Sequence, residues 1–147
     1  MSNGKIFTGF GVIKANSDKS KHLETATIRV LGSPIDLVNL RSETYTESSR
    51  VPVIKIGTPL QDAMRRDLTI NAMFYNINSQ KIEDHTEKGL FDLKEGICRT
   101  PLEPLQTFLD DPLRTIRTIR FANRFEFKID PIILNAAKDP RVKDCMM

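Results

Sequence analysis

The stretch "ETATIRVLGSPIDLVNLR", residues 24–41, alternates side-chain character on both sides of Gly32-Ser33-Pro34. A period of two on either side of a turn-forming triplet predicts two strands joined as a hairpin. Residues 42–57 are polar, with clusters of Ser, Thr and Glu, and are assigned no element. Thr58-Pro59-Leu60-Gln61 then offers an N-cap threonine, a proline at the first helical position and a glutamine in capping-box spacing. A helix is expected to start there and to carry "DAMRRDLTINAMFYN", residues 62–76. Residues 78–100 read as irregular, with a short strand at "GICR". Pro101 and Pro104 interrupt the chain before a second helical stretch, "LDDPLRTIRTIRFANRF", residues 109–125. Strands first and helices after, without βαβ alternation, give an α+β class. The closing "NAAKDPRVKDCMM" trails off with no recognisable domain ending.

With 147 residues, 39% of them hydrophobic, the chain is sized for one domain with a modest core. A net charge of +3 from 22 basic and 19 acidic residues suits an anionic partner but does not require one. Cys98 and Cys145 form no C-x-x-C pair, so neither a disulfide framework nor a zinc site is indicated. A reducing compartment is the default. There is no apolar run near the roughly 20 residues that cross a bilayer and no signal-peptide pattern. The expectation is a soluble intracellular protein of the cytoplasm, nucleus or mitochondrion.

Arg65, Arg66, Asp67 and Asn71 sit beside the apolar run Ile70, Ala72, Met73, Phe74 and Tyr75. One reading is a solvated helix face or an intrahelical salt bridge. The other starts from Asp67 and Asn71, which share a helix face at i and i+4. That face offers a carboxylate acceptor, an amide and cations to a ligand carrying hydroxyls and phosphates, which describes a nucleotide. Asp110 and Asp111 beside Pro112 read equally as a cap on a helix N-terminus, where negative charge contributes roughly 0.3–1 kcal/mol. Behind them Arg114, Arg117, Arg120 and Arg124 fall within about 120° of a helical wheel, with Ile116 and Ile119 to one side. Guanidinium groups stacked in this way repel unless an anionic ligand or a second acidic element stands opposite. Asp36, alone on its strand, reads as a surface residue, and His22 and His85 lack metal-ligand spacing.

Together "RRDLTINAMFYN", "EDHTEKGLFDLKEGICRTP" and "FLDDPLRTIRTIRFANRF", with "HLETATIRV" and "IDLVNLR" before them, resemble class II tRNA nucleotidyltransferases, the CCA-adding enzymes, in order and approximate spacing. The N-terminal third is most similar to the eukaryotic, fungal type. The resemblance covers nearly the whole chain. It implies a partial polymerase-beta-like nucleotidyltransferase head over residues 1–100, built of a β-hairpin and helices. Residues 101–147 would be the start of an α-helical neck. It further implies that Arg65, Arg66, Asp67 and Asn71 bind the triphosphate and select ribose, and that Asp111 and Arg114 read the base. Arg117 joins this nucleotide-binding set. Asp84, Gly89, Asp92 and Leu93 would form a flexible joint between head and neck, and Asp36 would match the third acidic residue of the superfamily. The activity implied is template-free transfer of CMP and AMP from CTP and ATP to the tRNA 3′ end. Other readings are a poly(A) polymerase, which shares these motifs, and a non-catalytic nucleotide- or RNA-binding remnant.

The same family carries a glycine-rich G-G-x-V-R-D segment and a D-x-D pair that holds Mg2+. The first 20 residues match neither and contain one aspartate, Asp18. The expectation is a head-to-neck fragment or truncated product, inactive alone, that retains nucleotide selection without the catalytic metal site. A sheet lacking its first strands would expose an edge and part of its core.

Overall fold

The computed structural model describes residues 7–13, 25–46 and 49–146; Asp18 and His22 lie outside them. The expected hairpin is present as β2 (Thr25–Val30) and β3 (Ser33–Val38), paired antiparallel with Ile28 opposite Ile35. Its turn is Leu31-Gly32, both at positive φ (49° and 82°), the geometry that a two-residue connection between right-twisted strands requires. β1 (Phe7–Ile13) pairs with the other edge of β2, giving the order β1-β2-β3.

The polar run after the hairpin is a second antiparallel pair, β4 (Arg41–Thr46) and β5 (Ser49–Ile56). Its base closes where the Gly57 N–H donates to Leu40 O at 3.0 Å. A Cβ on Gly57 would stand 2.6 Å from backbone atoms of Arg41 and Ser42, so only glycine fits.

α1 (Pro59–Met64) starts as expected: Thr58 Oγ1 accepts from Gln61 N at 3.2 Å and Gln61 Oε1 accepts from Thr58 N at 2.9 Å. The helix does not carry the motif that follows. It ends at Met64, with Arg65 as its C-cap, and Leu68 is extended and fully buried. Asp67 accepts from the Leu68 amide at 2.9 Å, a local bond that competes with helical continuation. Asn71 ends a single 3-10 turn, Thr69–Asn71.

The end of the run expected to be helical is a strand, β6 (Phe74–Asn76); the segment 78–100, read as irregular, contains β7 (Lys81–Glu83) and α2 (Gly89–Glu95), and the short strand expected at "GICR" is β8 (Ile97–Cys98). The single helix expected over 109–125 is two: α3 (Pro104–Asp110) and α4 (Leu113–Phe125). Pro112 disfavours a helical residue before it, and Asp111 is extended. β9 (Lys128–Ile129) pairs parallel with β8. Two further helices follow, α5 (Pro131–Ala137) and α6 (Pro140–Asp144), each opened by an Asp-Pro pair whose carboxylate caps the first turn. The mixture of strands and helices is α+β as expected.

Two apolar clusters meet at Ile129. Leu68, Cys98 and Ala122 form one, and Phe108, Ile133 and Val142 the other. Burying Leu68 and Ala122 together ties the motif after α1 to α4. Among the described residues no helix is long and apolar enough to cross a membrane.

Candidate functional site

Strand β4 alternates Arg41, Glu43 and Tyr45 on one face, and that face forms one wall of a cleft of about 890 Å³. Pro52 and Ile54 of β5 continue the wall. Arg65, Arg66, Asp67 and Asn71 line a second side, and Asp110 to Arg114 with Arg117 a third, with Cys145 and Met146 at the margin.

Asp62, 1% exposed, organises the arginine pair. Its Oδ1 accepts from Arg65 Nε at 2.9 Å and from the Arg41 amide at 3.1 Å. Its Oδ2 accepts from Arg66 Nε at 3.1 Å and Nη2 at 2.7 Å. Burial pushes the Asp62 carboxyl up, but the Arg65, Arg66 and Arg41 bonds outweigh it and hold it below the ordinary 3.8. Arg65 also donates to Arg41 O and Glu43, and Arg66 donates to Asn71 O at 3.2 Å and lies over the Phe74 ring.

Asp67 and Asn71, though not on one helix, still meet: Asn71 Nδ2 donates to Asp67 Oδ1 at 3.1 Å. Asp67 Oδ2 accepts from Arg117 Nε at 2.7 Å, so the two arginine-bearing motifs are in direct contact.

The guanidinium ladder of α4 does not face one anion. Arg114 is 8% exposed, and its Nη2 lies 3.4 Å from the Tyr45 hydroxyl and 3.6 Å from Glu43 Oε2. Its Nε is 3.7 Å from Asp111 Oδ2. Arg117 reaches Asp67, while Arg120 and Arg124 lie over Phe121 and Phe125. The second acidic element that a ladder demands is therefore supplied by Glu43, Asp67 and Asp111. The other reading of Asp111 is also realised, since Oδ1 accepts from Leu113 N at 3.1 Å and satisfies a first-turn amide. Among the described residues Arg114 donates no bond through Nη1, which leaves it a donor edge. Ile116 and Ile119 are on the open side of α4.

Asp92 is fully buried, accepts from Thr69 Oγ1 at 2.6 Å and pairs with Arg99 at 2.9 Å. Asp84 accepts from the Thr86 amide and hydroxyl and the Leu90 amide. Gly89 is packed so closely that a Cβ would stand 2.8 Å from Thr69 O. Leu93 is exposed. Asp36 does not line the cleft: it is exposed on β3 and accepts from Thr27 Oγ1 at 2.7 Å. No group of three His, Cys, Asp or Glu among the described residues could hold a metal ion, so they do not fit the magnesium site of the family.

Sequence reading passed over Glu43 and Tyr45. The signal was the R-x-E-x-Y alternation from Arg41 into the run set aside as polar. Burial and the Glu43 charge push the Tyr45 phenol up to about 12, against the lowering effect of Arg114.

An α+β chain whose cleft is walled by arginines braced on buried carboxylates is of a class that offers fixed guanidinium donors and carboxylate acceptors to a ligand. A family model makes the class specific, matching residues 2–99 as a Poly A polymerase head domain, and the chain belongs to that family. It is 58% identical over 130 residues to the mitochondrial CCA tRNA nucleotidyltransferase of Saccharomyces cerevisiae, covering 88% of this chain and 24% of that protein. It is 54% identical over 132 residues to the mitochondrial CCA tRNA nucleotidyltransferase of Candida glabrata, covering 90% of this chain and 25% of that protein. A solved complex of a CCA-adding enzyme with ATP matches at a TM-score of 0.62 and 30% identity, covering 83% of this chain and 27% of that one. The chain thus spans about a quarter of the length of these relatives.

Proposed function

We propose that this chain is the nucleotide-selecting head-to-neck portion of a CCA-adding tRNA nucleotidyltransferase, with residues 1–100 as partial head and 101–147 as the start of the neck. The whole protein would transfer CMP and AMP from CTP and ATP to the tRNA 3′ end, using Mg2+. The compartment favoured by the names of the relatives is the mitochondrion. One observation carries this reading: the 2.7 Å bond between Arg117 and Asp67 joins the two motifs, 50 residues apart, in one cleft.

Each side of the cleft has its own task. Arg65 and Arg66, fixed by Asp62, present positive charge to the triphosphate, and Asp67 with Asn71 receives the ribose hydroxyls. Asp111 accepts from the exocyclic amino group of cytosine or adenine, and Arg114 donates to the adjacent ring nitrogen. Guanine and uracil offer a carbonyl and a ring N–H at the same places, and meet like polarity. Asp84, Gly89 and Asp92 form the joint, acting through the bond that Asp92 accepts from Thr69 and its ion pair with Arg99. Asp36 is assigned no step, and none is derived through magnesium.

Replacing the matched segment of the S. cerevisiae relative by this chain tests the proposal. The chimera should restore CCA to a tRNA lacking it, and Asp111→Ala or Arg114→Ala in the chimera should abolish the preference for CTP and ATP. A chimera that folds but incorporates all four nucleotides alike would refute the assignment.

A further inference from the structure

Glu43 has no role in the motifs considered so far, yet it touches both halves of the cleft. Its side chain is 6% exposed, and three guanidinium groups converge on it. Oε1 stands 3.0 Å from Arg65 Nη1 and 3.1 Å from Arg41 Nε. Oε2 accepts from the Tyr45 hydroxyl at 3.1 Å and stands 3.6 Å from Arg114 Nη2.

The two sides depend on Glu43 unequally. Arg65 has other anchors, in Asp62 at 2.9 Å and Arg41 O at 3.2 Å. Among the described residues every side-chain contact of the Arg114 guanidinium is long, to Glu43 at 3.6 Å, to the Tyr45 hydroxyl at 3.4 Å and to Asp111 at 3.7 Å; one oxygen of Asp111 is committed to the helix amide, whereas Glu43 is a buried carboxylate that also holds the Tyr45 hydroxyl. A guanidinium held this loosely keeps its plane only while its opposing carboxylate stays charged and buried.

We infer that Glu43 is a positioning residue for nucleotide selection, whose carboxylate sets the guanidinium of Arg114 against the base while Tyr45 bridges the two. This rests on the nucleotide-selecting reading above. Glu43 acts through Arg114, so removing its charge weakens discrimination between bases more than the grip on the triphosphate.

CTP and UTP separate these effects, because they differ only at the base edge. Calorimetric titration of the 147-residue chain with each gives the ratio of affinities. Glu43→Gln should lower the CTP:UTP ratio by about tenfold, mostly through CTP. Tyr45→Phe, which deletes only the bridging hydroxyl, should lower it by about threefold and tests the inference even where Glu43→Gln fails to fold. A merely structural Glu43 would lower both affinities together, and an unchanged ratio in either folded variant overturns the inference. A wild-type chain that binds CTP and UTP alike fails earlier, and removes the nucleotide-selecting reading along with this one.

Discussion

Arg117 on α4 donates through Nε to Asp67 Oδ2 at 2.7 Å, while the other oxygen of the same carboxylate accepts from Asn71 and from the Leu68 amide. Asp67 is 6% exposed and the Arg117 side chain 45%, so the carboxylate depends on the pair more than the guanidinium does. Asp67→Ala, which strands buried donors, should cost about 2–4 kcal/mol, and Arg117→Ala about 1–2 kcal/mol. A double-mutant cycle in urea should give a coupling of about 1 kcal/mol or more. Additive losses would mean that the contact does not hold the motifs together.

Asp62→Ala leaves Arg65, Arg66 and the Arg41 amide without their shared acceptor, at a cost of about 3–5 kcal/mol. The Asp62 carboxyl is depressed in the folded chain, so its contribution is complete above the ordinary value of 3.8 and disappears as pH falls below it. Asp84 is shifted the same way: burial pushes it up, but bonds from Leu90, Thr86 and Gly89 bring it down further. Urea midpoints should therefore fall between pH 5 and pH 3 in the wild type, by amounts of the order expected for depressed carboxyls, and fall less in Asp62→Asn. Equal acid sensitivity in both proteins would remove Asp62 as a cause.

Gly89→Ala forces a Cβ to within 2.8 Å of Thr69 O and 2.9 Å of Met73 Cγ. The expected loss is about 1–3 kcal/mol, read as a lower melting temperature. An unchanged melting temperature would show that the packing around Gly89 yields.

ATP should bind the chain more tightly than dATP, because a missing 2′-hydroxyl leaves Asp67 and Asn71 short of a partner, worth about 1–3 kcal/mol. Asn71→Ala should narrow the gap. Equal affinities for the two nucleotides would take the ribose away from this pair.

The hairpin at Gly32 and the start of α1 were legible because each rests on local rules: alternation across a turn, and a capping box that closes within four residues. The early end of α1 was not, since Leu68 leaves the helix to be buried with Cys98 and Ala122, contacts distant in sequence. The break at Asp111-Pro112 was legible from the proline alone and was read past because the arginine spacing continued across it. Strand β4 was missed because its inward residues are Arg41, Glu43 and Tyr45. Alternation signals a strand when the buried face is apolar, and here that face is a charged cleft. The residues proposed to bind the nucleotide were named from motifs, whereas the partners that fix them, Asp62 and Glu43, emerge only from side-chain contacts.

The most direct measurement is equilibrium dialysis of the wild-type chain against CTP, ATP, GTP and UTP at one ionic strength. In the proposed reading Asp111 and Arg114 oppose a base edge with an amino donor beside a ring acceptor, so CTP and ATP should bind alike, each about tenfold or more tighter than GTP and UTP. Four equal affinities, or a ranking of purines over pyrimidines, would contradict a cleft that reads that edge.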